Sequence, residues 1–116
     1  MSLARIRYLS RQFRKRYGVI GRVASRYLEA GLSVRINHPT RLGPAHIIAH
    51  GNGQKLVVEV YYSSKPLEPD TVQRVAEKAK LLRAKPVVAL YGKTPATKRA
   101  LEVATKLGVK IKRIRP

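Results

Sequence analysis

The chain has no cysteine. Disulfides and thiolate metal sites are therefore excluded, and nothing positive follows about compartment. Acids are nearly as scarce, with 6 Asp and Glu against 25 Lys and Arg and a net charge of +19 at pH 7. Asp70 is the only aspartate, so no Ser/His/Asp set can be assembled. Three histidines without cysteine or a cluster of acids make a poor metal set. No apolar run approaches the roughly 20 residues of a membrane span. The basic N-terminus lacks the apolar core of a signal peptide, and the expectation is a cytoplasmic, nucleoid-associated protein with no membrane partner. The long glycine fingerprints that cradle phosphates are missing too, so Gly51-Asn52-Gly53 reads as a turn. Neither an internal repeat nor a low-complexity segment is present.

What is there points to one globular domain over residues 1–116. A hydrophobic content of 44% supports a folded chain, and this length buries about two-thirds of the unfolded surface. So large a positive charge repels itself in the compact state, which makes a polyanion the natural partner. The sign alone does not separate DNA from RNA. Few Asn and Gln, with many charged residues, lean towards a thermophile.

The most informative stretch is Gly43–Ser64. Asn52-Gly53 suits a two-residue type I′ turn, since both residues tolerate positive φ. Facing positions then place His50 opposite Lys55, Ile48 opposite Val57, and His46 opposite Glu59. The second strand is apolar on both sides apart from Glu59, as expected of a central strand carrying one carboxylate. A buried carboxylate is costly unless paired. The plain reading of His46–Glu59 is a cross-strand pair that satisfies it; the alternative is a residual or unusual metal site.

Elsewhere, Leu3, Ile6, Leu9, Phe13 and Tyr17 recur at helical spacing over residues 2–17. Residues 1–28 carry eight cations and no acid, so no partner acid can turn that surface into a salt-bridged one. Gly18 and Gly21 mark a kink or boundary before a second helical stretch built on Val19, Ile20, Val23, Ala24, Tyr27 and Leu28. Leu32–Ile36 reads as a strand. Asp70 is expected to cap a helix, with Gln73 as its capping-box partner. Residues 86–91 form a doubly covered parallel strand. Thr94-Pro95 is expected to open another helix, and residues 109–114 form a lysine-bearing edge strand. The resulting order is α-β-β-β-α-β-α-β, an antiparallel meander feeding parallel crossovers.

The hairpin, with its apolar runs, Gly-rich turn and Glu59, resembles that of the PD-(D/E)xK nuclease superfamily, most closely the small archaeal Holliday junction resolvases. The resemblance implies a restriction-endonuclease-like mixed α/β sheet flanked by helices, a homodimer, and double-stranded or branched DNA as partner. The family's Asp position holds His46, its Glu is Glu59, and its Lys position holds Tyr61. Arg22 and Arg26 stand where the family presents its helix acid. Mg²⁺ prefers hard oxygen ligands, imidazole suits softer metals, and a phenol replaces a cation, so a degraded catalytic site is expected. No cofactor is expected, with Mg²⁺ required only if a residual site is active.

These readings predict a DNA-binding protein that neutralises phosphates. The expected contacts are Arg5, Arg7, Arg11, Arg14, Lys15, Arg16, Arg22, Arg26, Arg35, Arg41, Lys55 and Lys65. Two rivals stand beside it: a working endonuclease or resolvase using Glu59, His46 and His50, and a small basic RNA-binding protein.

Overall fold

A computed structural model describes residues 2–116; Met1, where the predicted domain begins, lies outside them. In chain order the elements are α1 (Leu3–Glu29), β1 (Ser33–His38), β2 (Ala45–Gly51), β3 (Gln54–Tyr61), α2 (Pro69–Leu81), β4 (Lys85–Tyr91), α3 (Lys98–Leu107) and β5 (Lys110–Ile114). They form a mixed α/β fold: one five-stranded sheet in the order β1-β2-β3-β4-β5, flanked by three helices. The first three strands are antiparallel neighbours, while β3, β4 and β5 run parallel.

The hairpin is set by its turn. Asn52 and Gly53 take φ of 52° and 75°, the two positive values a type I′ turn requires. The ladder pairs Gly51 with Gln54, His50 with Lys55 and Ile48 with Val57, and it ends at Ile47–Val58. Val57, Val58 and Val60 are all buried, because β3 is central and covered on both sides. On one face, Val23 and Ala24 of α1 meet Ile47, Ala49, Val58, Val60, Val87 and Ala89. On the other, Val72, Val75 and Ala79 of α2 and Ala100 and Ala104 of α3 meet Ile48, Val57, Val88 and Leu90.

Helix α1 is two helices joined at an elbow. Gly18 (φ 57°, ψ −126°) is non-helical, a conformation open to glycine and strained for other residues. The N-terminal half turns back against the C-terminal half. At their crossing, a Cβ on Gly21 would lie 1.9 Å from the Phe13 carbonyl oxygen, so only glycine lets the backbones meet. The buried Ser25 hydroxyl lies 2.8 Å from the Gly21 carbonyl and 3.1 Å from that of Ser10, donating between them.

Several element starts differ from expectation, β4 and β5 by a single residue. The first strand runs from Ser33 to His38, because Leu32 leans on the α1 face of the core. Helix α2 begins with Pro69 at its first turn, and Glu68, not Asp70, occupies the cap position. Asp70 pairs instead with Arg74 at 3.3 Å. Helix α3 is capped by Thr97, whose hydroxyl accepts from the Ala100 amide. Thr94 is buried, where it accepts from the Ser63 amide at 3.2 Å and donates to the Tyr91 carbonyl at 2.8 Å. A threonine ahead of a proline reads as a helix start; here it ties the end of β3 to the end of β4.

The sheet has two free edges. On β1, Asn37 (φ 53°) drops out of the ladder between Ile36–Ile47 and His38–Ala45. On β5, Lys110, Lys112 and Arg113 are exposed.

Candidate nucleic-acid interface

Glu59 points away from α1, since its neighbours Val58 and Val60 face α1. Its carboxylate lies between two side chains. Glu59 Oε2 is 3.6 Å from His46 Nδ1, and Oε1 is 3.7 Å from Lys78 Nζ on α2. The first contact is not a hydrogen bond. His46 Nδ1 already accepts from the Val60 amide at 3.0 Å, so in this arrangement the ring carries its proton on Nε2. His46 and Glu59 thus meet as their register predicts, but the histidine completes the backbone ladder where β2 leaves β3. The expected cross-strand pair is present within ion-pair distance but is not a hydrogen bond, and a cation from α2 shares the carboxylate.

That cation is Lys78. It is 7% exposed and donates to the Pro44 carbonyl at 3.0 Å, holding the β1–β2 loop over the hairpin. Glu59 Oε1 is buried without a hydrogen-bond partner, leaving the Lys78 ammonium as its electrostatic neighbour. The sequence did carry a signal for this lysine. Position 78 falls on the stripe of Val72, Val75, Ala79 and Leu82, where a solvated lysine has no place.

Tyr61 does not stand in for a catalytic cation. Its hydroxyl donates to the Lys65 carbonyl at 3.2 Å, with the Pro66 carbonyl at 3.4 Å, and so anchors the loop after β3. Arg22 and Arg26 belong to α1, on the opposite sheet face from Glu59, so the expectation that they occupy a catalytic helix position is corrected. The donor set around Glu59 does not fit Mg²⁺. It offers one carboxylate, a histidine nitrogen already in use, and an ammonium 3.7 Å from the buried oxygen. Among the described residues, no group of three or more His, Asp or Glu could hold a metal.

The predicted basic residues fall into separate groups. Arg5, Arg7, Arg11, Arg14, Lys15 and Arg16 are all exposed on the N-terminal half of α1, and Arg16 lies over the Tyr17 ring at 5.4 Å. The elbow brings Arg14 of one half beside Arg22 and Arg26 of the other. With Arg115, Glu29 and Tyr91 they line a cleft of about 330 Å³, and Arg26 donates to the Arg115 carbonyl at 2.7 Å. Arg35, His50 and Lys55 share a shallow depression on the other sheet face with Leu82. Arg41 and Lys65 are exposed on separate loops. Arg115 has no counterpart among the predicted contacts; it is brought to the cleft by the course of β5, which local pattern does not reveal. The apolar stripe of the N-terminal half is only partly covered, with Leu3 63% exposed.

No family model matches the chain, and no curated protein does. Among solved structures it is similar to the crystal structure of AF1548, a protein of unknown function. The TM-score is 0.62 at 14% sequence identity, and the match covers 90% of this chain and 58% of that one. At that identity the likeness shows the fold alone. The chain therefore corresponds to little more than half of the larger protein. No helix among the described residues is long and apolar enough to cross a membrane.

Proposed function

We propose that this chain is a nucleic-acid-binding protein, directed at double-stranded or branched DNA, on a nuclease-like fold whose catalytic positions no longer serve catalysis. The observation that carries this reading is the arginine cleft, in which the α1 elbow gathers Arg14, Arg22 and Arg26 with Arg115 beside the acid-free face of the N-terminal half. Binding proceeds by phosphate neutralisation and counterion release. Such contacts position the protein and do not read bases. A homodimer at the nucleoid fits the same reading, and the exposed Leu3 stripe offers an apolar surface for it.

The salt dependence tests the cleft. Each neutralised phosphate on B-DNA adds about 0.9 to the slope of log affinity against log salt. Replacing Arg14 and Arg22 together by Ala should flatten that slope by about 1 to 2 units and weaken all duplex sequences alike. An unchanged slope in a folded double variant would remove the cleft from the interface. Structured RNA competing better than duplex DNA would reassign the partner.

Catalysis is tested separately. Because the Glu59 donor set does not fit Mg²⁺, the purified protein should bind junction and duplex DNA without cleaving either in Mg²⁺ or Mn²⁺. Metal-dependent cleavage that disappears in Glu59→Ala would reinstate the endonuclease reading.

A further inference from the structure

The carboxyl ends of the three parallel strands converge on a second groove, which none of the predicted contacts enters. Tyr62, Ser63 and Ser64 follow β3, Gly92 to Pro95 follow β4, and Arg115 and Pro116 follow β5; with Tyr91 and Arg113 they enclose about 820 Å³. Open α/β sheets place ligands beyond this end of their strands. The walls are fastened. Thr94 ties the β3 and β4 ends together, Arg113 donates to the Gly92 carbonyl at 2.7 Å, and the Gly92 amide donates to Ile114 at 2.8 Å.

Within this rigid frame stands an exposed aromatic ring. Tyr62 is 64% exposed although it follows a buried strand. Its one aromatic neighbour is Tyr91, 5.4 Å away between ring centroids at 80°. Such an edge-on contact fixes the ring while leaving most of it open. Lys93 and Arg115 line the same groove, and no Asp or Glu side chain does. Among the described residues, neither cation has an acid within ion-pair distance. A fixed aromatic plane sharing a groove with two cations that have no acid partner matches an aromatic base attached to phosphates. Through Arg115, the groove is continuous with the arginine cleft.

We propose that this groove seats one unpaired nucleotide of a bound DNA strand, its base stacked on Tyr62 and its flanking phosphates on Lys93 and Arg115. The proposal rests on the DNA-binding reading and adds to it a preference for DNA with an unpaired base. Stacking on an aromatic side chain tolerates any base, so the preference is for structure and not for sequence.

The test compares a duplex carrying a single bulged 2-aminopurine with the same duplex fully paired. The wild-type chain should prefer the bulged duplex by on the order of ten-fold, the scale of one base–aromatic stack, and should quench the 2-aminopurine fluorescence. Tyr62→Ala should abolish both the preference and the quenching while leaving affinity for the paired duplex unchanged. Tyr62→Phe should retain both. Equal affinity for the two duplexes, or a preference that survives Tyr62→Ala, overturns the groove proposal and leaves the DNA-binding reading intact. Failure to bind either duplex overturns both. Free deoxyadenosine monophosphate competing as effectively as the bulged duplex would also overturn it, by making the ligand a mononucleotide.

Discussion

Replacing Lys78 by Met should lower the stability of the chain by about 2 to 4 kcal/mol, somewhat less than the roughly 3 to 5 for stripping one partner from a fully buried charge pair. Glu59 Oε1 has no hydrogen bond to fall back on, and the Glu59 side chain is only 18% exposed. Methionine fills the same volume along the α2 stripe, so the loss is one of charge and of the bond to Pro44 rather than of packing. For a domain of this size, each kcal/mol moves Tm by roughly 3 to 6 °C. The double variant Glu59→Gln, Lys78→Met should recover at least about 1 kcal/mol, since it removes the stranded charge. Denaturant unfolding of the four proteins closes the cycle. Additive losses would mean that Lys78 acts only through Pro44 and that Glu59 is solvated well enough to stand alone.

The second large effect lies at the α1 crossing. Gly21→Ala puts a methyl carbon 1.9 Å from the Phe13 carbonyl oxygen and 2.4 Å from its carbon. Both are backbone atoms, so no rotamer change relieves the clash, and the two halves of α1 must separate. Overpacking against movable side chains costs about 1 to 3 kcal/mol; here the upper end is expected, limited only by the energy that docks the N-terminal half. Undocking would break the Ser25–Ser10 bond and dissolve the side-by-side placement of Arg14 and Arg22. Trypsin should then cut within residues 3–17 much faster than in the wild type, while the sheet keeps its unfolding transition. DNA binding should show the same flattened salt slope as the Arg14, Arg22 double variant. A Gly21→Ala protein that resists trypsin as the wild type does would mean that the crossing can open by the roughly 1 Å or more that the methyl needs without letting go.

The elements that could be read from the sequence are those whose signal is local. Asn52-Gly53 fixes a register without reference to anything outside the hairpin, and the apolar run of residues 86–91 announces a strand covered on both sides. The helix starts were misplaced where two capping signals stood close together. Pro69 takes the first turn ahead of Asp70, and Thr97 caps where Thr94-Pro95 would serve equally well in isolation. The candidate site was legible only in part, for a different reason. His46 and Glu59 are joined by the hairpin, so their meeting follows from the turn. Lys78 reaches the same carboxylate from a helix whose placement depends on the crossover to β4. The Tyr62 groove is less visible still, because its residues come from three strand ends separated by about 30 and 20 positions. Arg22 and Arg26 show the converse. Their helical spacing was read correctly, yet which sheet face α1 covers is a property of the whole packing.

The unpaired edges of the sheet acquire a further meaning from the charge. A net +19 opposes the edge-to-edge joining of sheets in free solution, and a polyanion that neutralises it would line many copies up at high local density. At that point mutual repulsion no longer prevents one sheet from extending into the next. The positive φ at Asn37 breaks the β1 edge near its end, and Lys110, Lys112 and Arg113 keep β5 unattractive to a like-charged strand. On the DNA-binding reading proposed above, neighbouring copies crowded on one duplex would therefore not join sheet to sheet and could leave when salt rises, where an apolar, unbroken edge would have seeded a fibre.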